Sequence, residues 1–277
     1  MDVRVDERGQ GLDADIRTGA CVQGVQADDS GFTLTLEDGD RLAVRAVVAA
    51  SGTFGRPHHP ALPGLEGFTG SVLHAAEYRA PEPYAGQRIV VVGAGNSAVQ
   101  IATELATQAH VTLAARHPVR FARRHTLGRD LHWWLTHTGL DTLPAGRFPR
   151  TPPTQLVIDD GRYRAAVAAG APDRRPVFTG IDGIDGIKVT WADGSTEAVD
   201  TILLATGYRP DLAYLAPLGA LDEHGHPFHR EGLSLTHPGL AYVGLEWQHS
   251  LSSNSLRGVD RDTARVARHL AARLHRH

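Results

Sequence analysis

The stretch Arg88–Ala102, RIVVVGAGNSAVQIA, decides the fold of this chain. A hydrophobic run meets a glycine-rich turn, and a segment with an apolar pattern follows. This order of strand, glycine turn and helix is typical of the start of a dinucleotide-binding βαβ unit. Because the stretch begins at residue 88 of 277, the segment before it needs its own explanation.

The residues of the turn have separate predicted roles in binding a pyrophosphate. Gly93 allows the tight turn, Gly95 lets the backbone approach the phosphates, and Ala98 is small enough for the helix to pack on the strand. The helix N-terminus offers free N–H groups and the positive end of its dipole. Asn96 and Ser97 are candidate side-chain donors to the same phosphates.

The residue after the next strand indicates which nicotinamide cofactor is bound. An NAD site usually carries Asp or Glu about 20 residues past the first glycine, where it binds the ribose 2′-hydroxyl. This chain has Arg116 there, and a guanidinium would pair with a 2′-phosphate. The sequence therefore favours NADPH over NADH. The alternative is that Arg116 belongs to an ordinary surface cluster with Arg120, Arg123 and Arg124.

Composition narrows the class of protein. The hydrophobic fraction of 42% and the charged fraction of 21% are those of a soluble globular protein, and the formal net charge of −3 argues against nucleic acid as a partner. Cys21 is the only cysteine, which excludes a redox CxxC pair, a flavin disulfide reductase and a thiolate zinc site. We find no signal peptide and no membrane-spanning run, so we expect a cytoplasmic protein without a membrane partner.

Two segments share one pattern of strands. Phe32–Ser51 and Gly186–Gly207 each read as a strand, a tight turn, a polar strand and an apolar strand that ends in small residues. We therefore predict an α/β fold of two Rossmann-like dinucleotide-binding domains with β-meanders. Between the repeats we predict an irregular region reaching about Gly180, with a short helix at DLHWWLTHTGL and a loop at RFPRTPP.

The C-terminal part reads as a strand, GLAYVGLEWQ, followed by a helix. Helical spacing predicts that six residues of that helix face the core: Val259, Ala264, Val266, Ala267, Leu270 and Leu274. The loop between these parts holds His224, His226 and His229, which we interpret as solvated residues rather than metal ligands.

The residues just before the glycine turn resemble a known fingerprint. Phe68, Gly70, His74 and Tyr78 stand in the arrangement F-x-G-x-x-x-H-x-x-x-Y of the flavin-containing monooxygenases. LLATGYRPDL is similar to that family's A-T-G-Y motif, and AVVAASGTFGRPHHPALPG is similar to its earlier strand-glycine segment. Four motifs in the family's order make the resemblance far more specific than any one of them.

The resemblance implies a reaction and two cofactors. NADPH reduces FAD, oxygen adds to flavin C4a, and the hydroperoxide gives one oxygen atom to a small nucleophile containing nitrogen or sulfur. The partners implied are that small-molecule substrate and O2, and neither a metal nor a catalytic triad is expected. The FAD contacts implied are Gly52, Gly207, Tyr208 and Gly244. We interpret His74 as a hinge residue with satisfied hydrogen bonds rather than a general base.

The resemblance also implies a domain order, with one departure. We predict a partial FAD domain at 1–84, an inserted NADPH domain at 85–200 and the rest of the FAD domain at 201–277. The family's N-terminal FAD turn is not evident. GQGLDA (Gly9–Ala14) fits it as text, but a charged segment precedes it and no adequate helix follows. The predicted FAD site therefore lacks the glycine turn that would anchor the FAD pyrophosphate, whereas the NADPH turn is complete.

Two other interpretations follow from that departure. The chain could be an NADPH-binding module without FAD, or a truncated family member without activity. A sheet that lacks its central strand would also expose apolar surface and an unpaired edge unless a partner covers them, and a homo-oligomer is one candidate arrangement.

Overall fold

The structure is a computed structural model that describes residues 15–144, 156–182 and 186–275. Predictions that fall on Gly9–Ala14 and on RFPRTPP lie outside these residues. The described chain divides into two compact units. The first unit contains residues 15–53, 142–144 and 210–275, and the second contains residues 54–141, 156–182 and 186–209.

The elements are numbered in chain order. The strands are β1 (Val22–Asp28), β2 (Gly31–Leu36), β3 (Arg41–Val44), β4 (Val47–Ala49), β5 (Arg56–Pro57), β6 (Ser71–His74), β7 (Arg88–Val92), β8 (His110–Ala114), β9 (Arg120–Arg123), β10 (His125–Thr126), β11 (Arg129–Asp130), β12 (Leu156–Asp159), β13 (Asp173–Arg175), β14 (Gly180–Asp182), β15 (Lys188–Thr190), β16 (Thr196–Ala198), β17 (Thr201–Leu204), β18 (Tyr208–Arg209), β19 (His229–Arg230), β20 (Leu233–Ser234) and β21 (Leu240–Tyr242). The helices are α1 (Asn96–Leu105), α2 (Leu131–Thr138), α3 (Arg162–Ala168) and α4 (Val259–Leu274).

The first unit contains two small sheets. β2 and β3 form the antiparallel hairpin that the sequence predicts, and β1, which lies outside the predicted pattern, pairs with β2. The predicted apolar strand is β4, which pairs in parallel with β21 in a sheet of order β19-β20-β21-β4. The predicted strand GLAYVGLEWQ is confirmed only as Leu240–Tyr242. Helix α4 is confirmed, with Val266 and Leu270 buried against Ala241 and Val243.

Two of the six core positions predicted for α4 are wrong. Ala264 and Ala267 are exposed, whereas the carboxylate of Asp262 is buried. The buried stripe of α4 is narrower than its small residues suggest, because alanine fits equally well on either face of a helix and carries little information about burial.

The second unit is built on a five-stranded parallel sheet of order β13-β8-β7-β17-β6. Alternate residues of β7 enter two hydrophobic clusters: Ile89 and Val91 pack in the cluster that contains α1, and Val90 and Val92 pack in the one that contains the β15–β16 hairpin residues. A strand buried on both faces needs an unbroken apolar run, which explains the sequence RIVVV. The predicted βαβ unit of β7, α1 and β8 is confirmed.

The region before Gly180 is more regular than the sequence predicts. α2 is confirmed, with the Asp130 carboxylate capping its N-terminus at 2.8 Å from the His132 amide and Gly139 ending it at a φ of 71°. The description of the rest as irregular is wrong, because β9 and β12 pair in parallel, α3 follows β12, and β13 joins the main sheet. These elements are short and polar, so their periodicity is too weak to be read.

The second repeat of the strand pattern is confirmed as the hairpin β15-β16, which leads into β17 of the parallel sheet, and β14, outside the predicted pattern, pairs with β15. Within the described residues, no helix has both the length and the apolar character needed to cross a membrane. Which cofactor each compact unit serves stays a prediction.

Candidate cofactor site

The glycine turn lies where β7 leaves the parallel sheet. Gly93 has a φ of 150°, and its N–H donates to the Ala114 carbonyl at 2.9 Å. A Cβ placed on Gly93 would lie 2.4 Å from the Ala205 carbonyl oxygen and 3.0 Å from the Ala98 Cβ. Glycine is therefore required here both by its backbone conformation and by the close approach of two neighbouring segments.

Helix α1 begins directly after this turn. Gly95 is its N-cap residue in an extended conformation, and no side chain caps the first turn. Ala98 is fully buried, which is consistent with close packing of helix on strand, and Ser97 is exposed. The first-turn N–H groups are thus left without a side-chain acceptor, as an anion site at a helix N-terminus requires.

Asn96 has a role that the sequence did not indicate. Its Oδ1 accepts from the Ile158 N–H at 3.0 Å, and its Nδ2 donates to the Leu156 carbonyl at 3.3 Å. The side-chain amide thereby pairs with β12 as a peptide group of a neighbouring strand would. The Asn96 side-chain amide is thus hydrogen-bonded to β12. Its predicted contact with a phosphate would have to use the second N–H of Nδ2.

Positive charge gathers beyond the end of β8. Arg116 is exposed there, as are Arg120 and Arg123. The pKa of His58 is lowered, first by partial burial and then by the positive charges of Arg209 and Arg116 among others. The positive charge of Arg116 is therefore near enough to His58 to lower its pKa, and both residues lie at the same edge of the sheet. Arg124 is engaged instead with Asp130 at 3.4 Å.

The fingerprint residues hold β6 at both of its ends. A Cβ on Gly70 would lie 2.5 Å from the Phe68 ring and 2.6 Å from the Asp200 carbonyl oxygen, so no larger residue fits beside Phe68. Beyond the strand, the Tyr78 hydroxyl donates to the Glu104 carboxylate of α1 at 3.0 Å, and burial raises the pKa of Tyr78.

His74 is buried completely at the carboxyl end of β6. Its Nδ1 accepts from the Ala76 N–H at 3.1 Å, so Nε2 carries the proton and donates to the Gly207 carbonyl at 3.0 Å. Desolvation lowers the pKa of His74. Both ring nitrogens are thus used by the backbone, and the neutral ring is the form that these contacts stabilise.

The A-T-G-Y motif lies against His74. The Gly207 carbonyl accepts from the His58 N–H at 2.9 Å as well as from His74, and Gly207 itself has a φ of 82°. The Tyr208 ring stands edge-on to His74 at 5.1 Å and to Phe54 at 5.7 Å. Three motifs that are far apart in the chain therefore meet at one place in the second unit.

Sequence reasoning quoted the segment of His58 and Phe54 but gave neither residue a role. The signal was present in GRPHHP, because a residue before proline favours extended backbone and the strand β5 there pairs with β18. The hydroxyl of Thr206 also donates to the His58 carbonyl, so this segment is fixed on the A-T-G-Y motif from both sides.

Gly52 and Gly244, the other two glycines that the resemblance assigns to FAD, lie together in the first unit. They follow the parallel strands β4 and β21, with φ values of 70° and 84°. A Cβ on Gly52 would be 3.6 Å from the Gly244 carbonyl oxygen. The Thr53 hydroxyl lies 3.4 Å from the same carbonyl and accepts from the Glu246 N–H at 2.7 Å. Gly207 and Tyr208 belong to the second unit.

The histidines at 224, 226 and 229 lie in the turn before β19 and at the start of that strand. His226 pairs with Asp222 at 3.4 Å, and no group of three or more His, Cys, Asp or Glu side chains suited to a metal occurs in the part of the chain that the structure describes.

Comparison with known proteins agrees with these motifs. A family model described as pyridine nucleotide-disulphide oxidoreductase matches residues 10–138. The chain is 28% identical over 264 residues to an uncharacterized CzcO-like oxidoreductase of Geobacillus kaustophilus (strain HTA426), covering 93% of this chain and 73% of that one. It is 30% identical over 209 residues to dimethylaniline monooxygenase (N-oxide-forming) 2 of Mus musculus, covering 63% and 38%.

The fold agrees as well. A solved flavin-containing monooxygenase from Stenotrophomonas maltophilia superposes with a TM-score of 0.76 at 27% identity, covering 93% of this chain and 72% of that one. The chain is therefore similar to flavin-containing monooxygenases in sequence and in fold, which confirms the family resemblance and the predicted α/β fold with Rossmann-like domains. It spans little more than a third of the mouse relative's length.

Replacing Gly93 tests the glycine turn. We expect Gly93→Ala to lower the free energy of unfolding by about 1–3 kcal/mol beyond its backbone cost, because the new Cβ overpacks the Ala205 carbonyl. The matched control is Gly194→Ala, which has a φ of 78° and open space around its Cβ. It should show only the left-handed penalty of about 1–2 kcal/mol. Equal losses in urea unfolding would contradict the close approach at Gly93.

The buried His74 predicts a pH dependence of stability. The folded state keeps His74 neutral, whereas the unfolded chain takes up a proton as pH falls through the ordinary value of 6.5. The His74 contribution is therefore complete above about pH 7.5 and is lost progressively as pH falls below the ordinary value of 6.5 toward the lowered pKa of the folded state. His74→Gln should be less stable at the higher pH but should lose less on acidification. The exposed His110→Gln is the control, and a His74→Gln slope equal to that of wild type would rule the prediction out.

Proposed function

We propose that this protein is an NADPH- and FAD-dependent monooxygenase that oxygenates a small nucleophile containing nitrogen or sulfur. In the overall reaction, substrate, O2, NADPH and a proton give oxygenated substrate, water and NADP⁺. One observation carries the proposal. His74 and Tyr78 of the fingerprint lie at or beyond the carboxyl end of β6. The A-T-G-Y motif, the glycine turn and Arg116 follow the neighbouring parallel strands β17, β7 and β8, so all of them share one carboxyl edge.

That edge is where ligands of open α/β sheets bind. From β7 the chain continues to β8 and then to β13 on one side of β7. It then crosses to β17 on the other side of β7, so the strand order reverses between β7 and β17. Such a switch point leaves a crevice beyond the strand ends. The Gly93 turn and the Ala205 carbonyl lie directly at this switch point.

The residues present fit NADPH. Gly93 and Gly95 contribute no side chains to the turn, and the uncapped start of α1 with the exposed Ser97 would face the pyrophosphate. Arg116 would bind the 2′-phosphate. Asn96 would serve this site by holding the start of α1 against β12.

The residues assigned to FAD fit in part. Gly52 and Gly244 have left-handed backbones and present main chain rather than side chain at the ends of β4 and β21, and Gly207 does so at the end of β17. Bound FAD would supply the chemistry of oxygen activation, with electrons from NADPH. The substrate class follows the resemblance, and the mouse relative's name, N-oxide-forming, agrees with a nitrogen nucleophile.

His74 acts in this proposal as a positioning residue. Its two backbone contacts leave no ring nitrogen to move a proton, and they fix the Gly207 carbonyl beside Tyr208. Through His58 the same carbonyl also holds the Phe54–His58 segment. The chain would thus supply orientation and exclusion of water rather than acid–base catalysis.

FAD reconstitution tests the proposal. The purified chain is incubated with FAD, freed of excess cofactor and examined for a flavin band at about 450 nm. Addition of NADPH without oxygen should then bleach the band, because the flavin is reduced. A chain that binds NADPH but retains no flavin would be the NADPH-binding module instead, and a chain that binds neither would be inactive.

Arg116 tests the choice of nicotinamide cofactor. Arg116→Ala should weaken NADPH binding by about 1.5–3 kcal/mol, the value of a hydrogen bond to a charged group, and should leave NADH binding unchanged. Arg174→Ala, another exposed arginine of the same sheet, is the control. Titration calorimetry with both cofactors measures the difference, and an unchanged NADPH affinity would show that Arg116 does not bind the 2′-phosphate.

A further inference from the structure

Three side chains of the first unit close a ring of hydrogen bonds that no motif predicts. The Arg265 Nη1 donates to the Glu231 Oε2 at 2.7 Å, the His249 Nδ1 lies 3.1 Å from the Glu231 Oε1, and the Arg265 Nη2 lies 3.2 Å from the His249 Nε2. The side chains of Glu231 and His249 are only 13% and 15% exposed. We call these three residues the Glu231 ring.

The chemistry of the donors fixes the proton on His249. A guanidinium only donates, so the His249 Nε2 accepts from Arg265 and the Nδ1–H donates to Glu231. Each member is therefore satisfied by the other two. A closed network of this kind has one arrangement, and loss of any member leaves a largely buried polar group without its partner.

The ring holds the segment that follows Gly244. His249 belongs to the loop of residues 245–255, Glu231 lies between β19 and β20, and Arg265 lies on α4. Inside the loop, the His249 and Ser250 N–H groups both donate to the Ser253 hydroxyl, at 3.0 and 2.9 Å. Fixing His249 therefore fixes the backbone on both of its sides.

The held backbone is strained. Among the described residues, non-glycine residues with positive φ are Leu127, Glu231 and Trp247. Two of these three lie in or beside the ring, with φ values of 52° at Glu231 and 58° at Trp247. A bulky residue persists in this conformation only where its surroundings impose it, and such positions cluster at ligand sites.

Trp247 is anchored on both sides. On one side, the Glu246 N–H donates to Thr53, whose hydroxyl also lies near the Gly244 carbonyl. On the other side, the Leu245 N–H donates to the buried Gln248 Oε1 at 3.3 Å, and His249 enters the ring. The strained residue thus lies between the glycines proposed to approach FAD and the Glu231 ring.

We infer that the Glu231 ring is a positioning device that keeps the 245–255 loop in the strained conformation that bound flavin requires. This inference rests on the proposed function, since the ligand is the FAD of that proposal. The ring residues act through the loop and not by touching the cofactor. The free energy that holds Trp247 in its conformation would come from the three charged hydrogen bonds of the ring.

The test uses three variants and a matched control. His249→Ala and Arg265→Met open the ring, while His249→Asn keeps a donor where Nδ1–H points toward Glu231. Arg261→Met changes an exposed arginine on the same helix. The full chain is titrated with FAD by flavin fluorescence, visible circular dichroism of the saturated complex reports flavin geometry, and hydrogen exchange reports the His249 and Ser250 amides in the free chain.

We expect the opened variants to exchange these two amides faster, to raise the FAD Kd about tenfold if only about a tenth of the molecules retain the competent loop, and to change the visible dichroism. His249→Asn should restore most of the affinity, and Arg261→Met should match wild type. A loss of thermal stability with unchanged dichroism and a Kd within about twofold of wild type would show a merely structural ring and overturn the inference.

Failure of the proposed function gives a different pattern. If the wild-type chain itself binds no FAD, the monooxygenase proposal fails before the variants are compared, and the flavin role of the ring fails with it. If wild type binds FAD and the opened variants bind it equally well, only the role of the ring is overturned.

Discussion

Parallel pairing of β17 between β6 and β7 is the interaction on which the second unit depends. Leu203 and Leu204 of β17 lie beside Leu73 and His74 on one side and beside Val91 and Val92 on the other. This register brings a segment from beyond residue 200 to the centre of a sheet whose other strands come mostly from residues 71–114. It also forces three chain segments to leave the sheet at one edge, where their polar backbone groups need partners.

The requirement for partners explains why the edge is built from glycine and a buried histidine. Gly93 admits the Ala205 carbonyl at a distance that a side chain would block. One element further, the Gly207 carbonyl is satisfied by the His58 N–H and by the neutral ring of His74. Burial takes solvation away from a charged His74, and this loss outweighs the Gly207 hydrogen bond and the Glu77 carboxylate that favour the charged form, so the pKa of His74 is lowered. The backbone groups at this edge are thus satisfied by close main-chain contacts and by one buried ring.

In the first unit, the backbone after a strand end is held by the ion pairs of Glu231. The chain beyond β21 does not form a helix directly after Gly244 but passes through a loop of tight turns with four buried polar side chains: Gln248, Ser250, Ser252 and Ser253. Most of their contacts are local, and the Glu231 ring supplies the connection to the hairpin and to α4. Both units therefore place glycine or strained backbone after the ends of strands. Hydrogen bonds of buried side chains stabilise that backbone, from His74 in the second unit and from the Glu231 ring in the first.

The sequence by itself determined what depends on neighbours along the chain. Alternation and turn residues predicted the β2–β3 and β15–β16 hairpins, and the buried run and glycine turn predicted β7 and α1. Four ordered motifs predicted the resemblance to the flavin-containing monooxygenases. Tertiary structure alone decided which residues meet: His74 with Gly207, Asn96 with β12, and Glu231 with His249 and Arg265. The partners in these pairs are 133, 62, 18 and 16 residues apart in the chain. Whether they meet depends on strand register and on the burial of their polar atoms. Local periodicity carries no information about either, and so a pattern could predict His74 as important but could not show which atoms make it so.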